Sequence, residues 1–304
     1  SHGRRERAEA GLRALGIRPR AAAGSAGLLA SLPQGEQPPV AIRTLGGFRV
    51  SRRGEPVPAS EWQSRKARDL VKILVSRRGR PVPREALMEA LWPEEDPGPL
   101  ARRLAVALAT ARAVLDPGKG YPSDHFIAAE DSALWVDLDH VSVDVEEFLA
   151  DAAAGMSLLQ EETRDDAREV LEAAEARYTG DYLEEDLYED WAAPLREGAR
   201  STYVATAREL ARIGCESGDF QACIDYRLRI LERDPYDEEA HLGLVATLSG
   251  IGRHGEARRF YRQYVARMEE LDVEPAPMPP PAEPAARPAS DSRGGPTILA
   301  RTGT

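Results

Sequence analysis

The chain has 304 residues, of which 42% are hydrophobic and 30% are charged, as expected for a globular protein of two domains or three small ones. No apolar run approaches the roughly 20 residues of a membrane-spanning helix, and no signal peptide can be recognised, so we expect a cytoplasmic protein without a membrane partner. The net charge of −11 is unevenly distributed, because residues 42–118 hold 15 basic and 9 acidic side chains whereas residues 119–304 hold 19 and 39. A basic block in an acidic chain favours contact with a polyanion, although chance imbalance in an arginine-rich sequence is the alternative.

The sequence contains no recognisable catalytic or metal-binding motif. Cys215 and Cys223 are too few for a disulfide framework and favour a reducing compartment. Neither they nor the five histidines have the spacing of metal ligands, and there is no phosphate-binding glycine-rich loop or nucleophile motif. We therefore predict no metal, no cofactor and no catalytic residue, and we do not expect an enzyme.

The chain divides into four parts. Residues 1–41 contain a short helical pattern followed by a linker rich in Ala, Gly and Pro, and we interpret them as the end of a larger upstream region. Residues 42–140 mix strand and helix patterns, and residues 143–274 look entirely helical. Residues 275–304 are proline-rich without apolar periodicity, which predicts a disordered tail.

The second part begins with an alternating strand pattern over residues 42–50, interrupted by Gly46–Gly47, and a short returning strand at residues 55–57. Two helices follow, SEWQSRKARDLVKILVSRRG, which we expect to end at Gly79, and PREALMEALWP. A third helix is predicted over about residues 99–115, because its apolar residues follow the spacing i, i+4, i+8, i+11 and i+15. After it, HFIAAEDSALWVDLD is typical of a β-hairpin. Strands, three helices and a hairpin are the order of a winged helix-turn-helix.

The residues of this part also resemble a known family. The run SRKARDLVKILVSRRGRPVPREALMEALWPEEDP and the later LARRLAVALATARAVLDPG resemble the DNA-binding domain of the SARP-type (antibiotic regulatory protein-like) bacterial transcriptional activators. In that family a response-regulator-type winged helix is followed by a TPR-like bacterial transcriptional activator domain, which residues 143–274 fit. The resemblance implies an α+β winged helix-turn-helix domain over residues 42–140 followed by an all-α TPR-like domain, mostly helical overall.

The resemblance implies a sequence-specific activator that binds double-stranded DNA at promoter direct repeats as a homodimer and recruits RNA polymerase. The third helix would lie in the major groove, where its early residues meet base edges. The predicted DNA-binding residues are Arg102, Arg103, Val106, Thr110 and Arg112 on this helix, and Arg65, Lys66, Arg77, Arg78 and Arg80 around the first helix and the turn after it. Arg68 and Lys72 are further candidates for phosphate contacts, whereas we expect Arg43, Arg49, Arg52 and Arg53 to be solvated. For each of the basic residues outside the third helix, an ordinary solvated surface position is the alternative.

This sequence departs from the family at three positions of the third helix. Family members usually carry further basic or polar side chains where this chain has Ala105, Thr110 and Ala113. We therefore expect fewer phosphate contacts and a flatter salt dependence than in those members.

Two acidic segments flank the third helix. The resemblance implies that Glu94, Glu95 and Asp96, in the loop before this helix, contact a sigma factor or another polymerase subunit, and plain solvation is the alternative. Glu130, Asp131 and Ser132, at the hairpin tip, would repel the minor groove, so we expect the wing not to insert deeply.

The helical part repeats itself. A shift of 34 residues, the period of a TPR unit, superposes Leu210 on Leu244, Gly218 on Gly252, Cys223 on Ala257, Tyr226 on Phe260 and Leu231 on Val265. A long helix is predicted over residues 180–213, before these pairs. Because such arrays bind partners on a concave face, the alternative function is a TPR-type interaction adaptor, or the C-terminal regulatory part of a larger signalling protein, whose winged helix does not read DNA.

Overall fold

The computed structural model describes residues 38–282 except Pro97 and Glu162, so the predicted N-terminal helix and most of the predicted tail lie outside the described residues. The first sheet has the strand order β3-β2-β1-β7 and comprises β1 (Val40–Arg43), β2 (Arg49–Arg52), β3 (Glu55–Pro56) and β7 (Val141–Val143). β1 pairs antiparallel with β2 and parallel with β7. The turn between β1 and β2 is made by Gly46 and Gly47 with φ of +75° and +115°, values that L-residues rarely adopt. The single alternating run is therefore a hairpin of two strands.

Three helices and a second sheet complete the winged helix. The helices are α1 (Arg65–Ser76), α2 (Arg84–Leu91) and α3 (Leu100–Leu115), with a 3₁₀ turn at Ala59–Trp62 before them. The second sheet has the order β4-β6-β5, formed by β4 (Val82–Pro83), β5 (Ile127–Glu130) and β6 (Ala133–Val136). The β5–β6 hairpin is the predicted wing, and Asp131 at its tip has φ of +42°.

The remaining described helices are α4 (Asp144–Gln160), α5 (Arg164–Arg177), α6 (Ala193–Ser217), α7 (Phe220–Arg233), α8 (Glu238–Gly250) and α9 (His254–Glu270). The long helix expected from residue 180 begins only at Ala193, so its predicted start was wrong. Residues 180–192 instead form a loop with a 3₁₀ turn at Glu184–Asp186. The buried guanidinium of Arg196 holds this loop by donating hydrogen bonds to the carbonyl oxygens of Tyr182 (2.9 Å), Asp186 (2.8 Å) and Leu187 (3.2 Å).

The winged helix and the first helical residues share one core. Among the described residues, the first compact unit comprises residues 38–210 together with Arg229–Pro235, and its buried apolar cluster runs from Val40 to Tyr203. Asp144, the first residue of α4, accepts hydrogen bonds from Thr44 N (2.7 Å), Thr44 Oγ1 (2.7 Å) and Leu45 N (3.1 Å) on the β1–β2 hairpin. The predicted domain boundary near residue 141 therefore falls inside a continuous core.

The described part of the second compact unit contains residues 211–228 and 236–282. Gly218, between α6 and α7, and Gly252, between α8 and α9, have φ of +79° and +84°. These glycines are equivalent in the 34-residue repeat, and the small residues Cys223 and Ala257, also equivalent, are both fully buried. The structure therefore gives the repeat a physical basis in two helix pairs with matching turns.

One feature of this unit was not predicted, and one expectation was wrong. Cys215 and Cys223 form a disulfide, because the turn at Gly218 brings α6 and α7 together with the two Cα atoms 5.4 Å apart. The predicted tail is ordered at its start, since Tyr264 Oη accepts a hydrogen bond from Ala276 N (2.8 Å) and Ala282 N donates to Ala246 O (2.9 Å). The rest of the predicted tail, residues 283–304, lies outside the described residues.

Candidate nucleic-acid interface

α3 has a buried face and an exposed face. The predicted core positions are buried, with exposures of 6% or less at Leu100, Leu104, Leu108, Ala111 and Leu115. The opposite face is exposed at Ala101, Arg102, Arg103, Ala105, Val106, Ala109 and Ala113. After the helix, Asp116 accepts hydrogen bonds from Gly120 N (3.0 Å) and Tyr121 N (2.9 Å) and so orders the following turn. The helix therefore presents two arginines and a row of small apolar residues to solvent.

The two arginines of the first turn have different surroundings. Arg103 forms an ion pair with Glu95, and its guanidinium carbon lies 4.7 Å from the centre of the Trp92 ring. Arg102 is exposed and makes no ion pair with any described residue. Only Arg102 of this pair is thus immediately available to a base or a phosphate.

The other predicted residues of α3 also differ in availability. Val106 is 60% exposed. Thr110 donates its hydroxyl hydrogen to Val106 O (2.9 Å) within the helix. Arg112 is half-buried and donates to Ile127 O (2.7 Å) on β5, and burial lowers the pKa of its guanidinium. Arg112 thus joins the helix to the wing.

A surface cavity of about 400 Å³ lies beside the start of α3. Ser64, Trp92, Pro99 and Ala107 contribute to its wall together with the predicted residues Lys66, Arg102, Arg103 and Val106. Ser64 caps α1 by accepting a hydrogen bond from Ala67 N (3.3 Å), and Lys66 Nζ donates to Leu91 O (2.5 Å) at the end of α2. The fold therefore brings three cationic side chains from two helices to one partly apolar cavity. Such a cavity suits an anionic partner that also has an apolar group.

The predicted basic residues outside α3 fall into two groups. Arg65, Arg77 and Arg80 are exposed, and the nearest acidic partner of Arg65 is Asp69 at 3.9 Å. Arg78 instead binds Glu146 of α4 with two contacts, Nε–Oε1 at 2.6 Å and Nη2–Oε2 at 2.9 Å, and this bonding raises the pKa of Arg78. Arg78 therefore fixes α4 to the turn after α1.

Two expectations about cations were wrong, at Lys72 and Arg52, whereas Arg68 stays an untested candidate for a phosphate contact. Lys72 is 3% exposed, and its ammonium contacts Asp186 Oδ2 (2.5 Å) and Glu185 Oε1 (3.2 Å), so it is not available to phosphate. Arg68 is half-buried and donates to Phe48 O (3.1 Å). Arg52 is not simply solvated, because it donates to Val114 O (3.0 Å) in the last turn of α3 and binds Glu61 (2.7 Å). Apart from the pair of Arg52 and Glu61, these contacts join residues that are distant in the sequence. The local sequence pattern therefore could not predict them.

The acidic segments lie at the surface. Glu94, Glu95 and Asp96 are exposed, with Glu95 paired to Arg103 and Asp96 Oδ1 accepting a hydrogen bond from Gly98 N (3.1 Å). Glu130, Asp131 and Ser132 are exposed at the wing tip. Sequence reasoning missed the ring of Trp92 as a partner of Arg103, although Trp92 directly precedes the acidic loop and could have suggested it.

Within residues 38–282, no group of three or more His, Cys, Asp or Glu side chains is arranged to hold a metal ion. Every helix in the same part of the chain is too short or too polar to cross a lipid bilayer.

Comparison with known proteins agrees with this architecture. Residues 61–128 match the family "Transcriptional regulatory protein, C terminal", and residues 143–278 match the "Bacterial transcriptional activator domain". None of the curated proteins is similar enough in sequence to count as a match.

A solved structure of Mycobacterium tuberculosis EmbR, in complex with a low-affinity phosphopeptide, is similar in fold with a TM-score of 0.67 at 22% identity. The match covers 80% of this chain but only 63% of that one. With both family matches in the order expected from the sequence, the chain is a transcription regulator that joins a response-regulator-type winged helix to a bacterial transcriptional activator domain.

Proposed function

We propose that this protein is a cytoplasmic, non-enzymatic activator that binds double-stranded DNA sequence-specifically and places α3 in the major groove. The observation that carries the proposal is Arg102, an exposed guanidinium without an ion-pair partner among the described residues, in the first turn of a helix whose opposite face is buried. A guanidinium at that position can donate two hydrogen bonds to guanine O6 and N7. Lys66, Arg65, Arg77 and Arg80 supply phosphate contacts in this proposal.

The proposal includes the partners that the family resemblance implies. Two copies of the chain occupy direct repeats in a promoter, and the loop of Glu94, Glu95 and Asp96 contacts a sigma factor or another polymerase subunit. The exposure of all three acidic residues supports this role. No cofactor takes part.

The test is a binding experiment with duplexes selected from a random pool by the full chain. Wild type should prefer the selected site over random duplex by at least about a thousandfold at fixed salt. Arg102→Ala should reduce that preference, since one bidentate contact to a base contributes about 1–3 kcal/mol of discrimination. Lys66→Ala should weaken binding to all sequences and reduce the log–log salt slope by about 1.

Arg262→Ala is the matched control, because Arg262 is exposed on α9 and its removal changes the net charge equally. The proposal fails if no sequence is preferred over random duplex, or if Arg102→Ala and Arg262→Ala bind the selected site equally well.

A second candidate is a protein-interaction adaptor whose winged helix contacts protein. The neutralisation of Arg103 by Glu95 and the acidic wing tip favour it, because both reduce attraction to a duplex. If the protein is an adaptor, no duplex should be selected from the random pool. Any residual DNA binding should then be lost equally for all sequences as the salt concentration rises.

A further inference from the structure

Beyond its first turn, the exposed face of α3 is apolar. Val106 is 60% exposed, and Ala105, Ala109 and Ala113 are exposed around it. Valine is a poorer helix former than alanine because its branched side chain loses rotamer freedom. An exposed valine in a helix interior therefore adds little to folding, and a residue that breaks a local rule without a structural gain indicates function.

The polar groups in this stretch are already used. Thr110 donates its hydroxyl hydrogen to Val106 O (2.9 Å), so that what it offers a partner is chiefly its methyl group. Arg112 is bound to Ile127 O on the wing. Between Ala105 and Ala113, the exposed face of α3 consequently offers few free side-chain donors for a hydrogen bond to a base.

The surroundings of Val106 identify the kind of partner. It lines the cavity that also contains the cationic side chains of Lys66, Arg102 and Arg103. An apolar protein surface would have to desolvate these cations at a cost, whereas a nucleic-acid duplex brings phosphates that complement them. In the major groove of DNA, the base-edge group that an apolar side chain recognises is the 5-methyl group of thymine.

We infer that Val106, flanked by Ala105 and Ala109, is a specificity-determining residue that reads a thymine methyl group in the operator. The inference rests on the proposed function. Val106 lies four residues after Arg102, which is about 6 Å along a helix axis. Where the axis follows the groove, the thymine lies about two base pairs from the guanine that Arg102 contacts, at 3.4 Å per step.

The test replaces each thymine of the selected duplex, one at a time, with deoxyuridine. This change removes only the methyl group and leaves the hydrogen-bonding groups in place. One or two positions near the guanine should lose about three- to fivefold in affinity, the size expected for burying a single methyl group. The full chain is used, with salt held constant.

Val106→Ala identifies the residue responsible. Because Val106 is largely exposed, this variant should fold normally. Val106→Ala should bind the thymine duplex three- to fivefold more weakly than wild type and should no longer distinguish thymine from uracil at those positions. Leu271→Ala, which removes a 49% exposed apolar side chain from the second unit, is the matched control and should leave the thymine preference unchanged.

The outcomes separate this inference from the proposed function. If a site is selected but every thymine-to-uracil change is neutral, or if the uracil penalty persists in Val106→Ala, methyl recognition by Val106 is wrong and DNA binding stands. A selected site without thymine near its guanine also overturns the inference. If no site is selected, both are wrong.

Discussion

Arg102 and Arg103 are neighbours in the sequence, yet the structure gives them separate tasks. Arg103 lies over Trp92 and pairs with Glu95, so it connects α3 to the acidic loop before it. Arg102 keeps its guanidinium in solvent. The same contrast holds between Arg77, which is exposed, and Arg78, which is bound to Glu146. A count of basic residues therefore overestimates the number that can meet a phosphate.

The pH dependence of stability can be predicted at Asp181. Burial alone would raise its pKa, but hydrogen bonds from Arg200 and Tyr178 outweigh burial and lower it below the ordinary value of 3.8. An aspartate whose pKa is lowered by folding stabilises the folded state above its unfolded pKa, and this stabilisation is lost as the pH falls through the folded value. We expect Asp181→Asn to reduce the free energy of unfolding by about 1–3 kcal/mol at pH 7.

Urea unfolding of wild type and Asp181→Asn between pH 7 and pH 3 measures this effect. The difference between the two proteins should shrink below about pH 4. Asp144 is the internal control, because burial raises its pKa despite hydrogen bonds from Thr44 and Leu45. Acidification should change the difference between wild type and Asp144→Asn in the opposite direction. If the difference in free energy of unfolding between wild type and Asp181→Asn stays constant down to pH 3, the ionisation of Asp181 is not coupled to folding.

At the scale of elements, the acidic loop before α3 has two separable parts. Glu94 and Asp96 make no ion pair with the described residues, whereas Glu95 holds Arg103. The double variant Glu94→Gln with Asp96→Asn keeps the oxygen that accepts a hydrogen bond from Gly98. If the loop contacts polymerase, this variant should lower transcription from the selected site in vitro without lowering DNA affinity, because the loss of two negative charges only reduces repulsion of the phosphates.

Glu95→Gln should have a different effect. It releases Arg103, so DNA affinity should rise and the salt slope should steepen by up to about 1. The two variants, compared by DNA-binding titration and single-round transcription, separate activation from binding. Unchanged transcription in the double variant at saturating occupancy of the site would exclude a role of Glu94 and Asp96 in activation.

The packing of α4 on α5 depends on the absence of a side chain at Gly155. A Cβ atom there would lie 2.5 Å from Leu171 Cδ2, and Leu171 is fully buried and cannot move freely. Gly155→Ala should destabilise the protein by about 1–2 kcal/mol, since overpacking exceeds the gain in helix propensity. Gly198→Ala in α6 meets nothing within 4 Å and should stabilise by about 0.5–1 kcal/mol. Urea unfolding of both variants measures these effects. If the two urea midpoints shift in the same direction relative to wild type, this explanation is wrong.

Periodic and turn-forming residues could be predicted from the sequence, whereas long-range polar contacts could not. The spacing of Leu104 and Leu108 identified the buried face of α3, and the repeated glycines marked the turns between paired helices. Lys72 looked like any exposed lysine on an amphipathic helix, because its partner Asp186 is 114 residues away. The late start of α6 has the same origin, because residues 180–192 are held as a loop by the buried Arg196.

At the candidate site, the sequence predicted the arginines of α3 as DNA-binding residues. It could not predict that they differ in their availability to DNA, because that difference depends on contacts made in the folded structure. Trp92 is buried, and its ring also lies beside the guanidinium of Arg103. Lys66 joins Arg102 at one cavity only because α1 and α3 pack side by side.

At the scale of the whole chain, the winged helix is not an independent module. β1 pairs with β7, which leads directly into α4, and Thr44 binds Asp144. Lys72 needs the carboxylate of Asp186, and Leu45 forms a β-bridge with Tyr182. Removing everything after residue 142 would therefore leave the ammonium of Lys72 without its carboxylate partner, a change that typically costs about 3–5 kcal/mol, and would also expose apolar core.

We accordingly expect a fragment of residues 38–142 to lack a cooperative thermal transition and to bind a hydrophobic dye. The free energy of unfolding of a typical protein is only about 5–15 kcal/mol, and these losses are large in comparison. A fragment of residues 38–235 retains α4, α5, α6 and the buried Ile230 of the first unit, and it should unfold cooperatively. Near-ultraviolet circular dichroism and calorimetry of the two fragments distinguish these outcomes. If residues 38–142 unfold as sharply as the longer fragment, the shared core is dispensable. The winged helix would then be free to act alone, and a change in the helical region would have no structural route to α3.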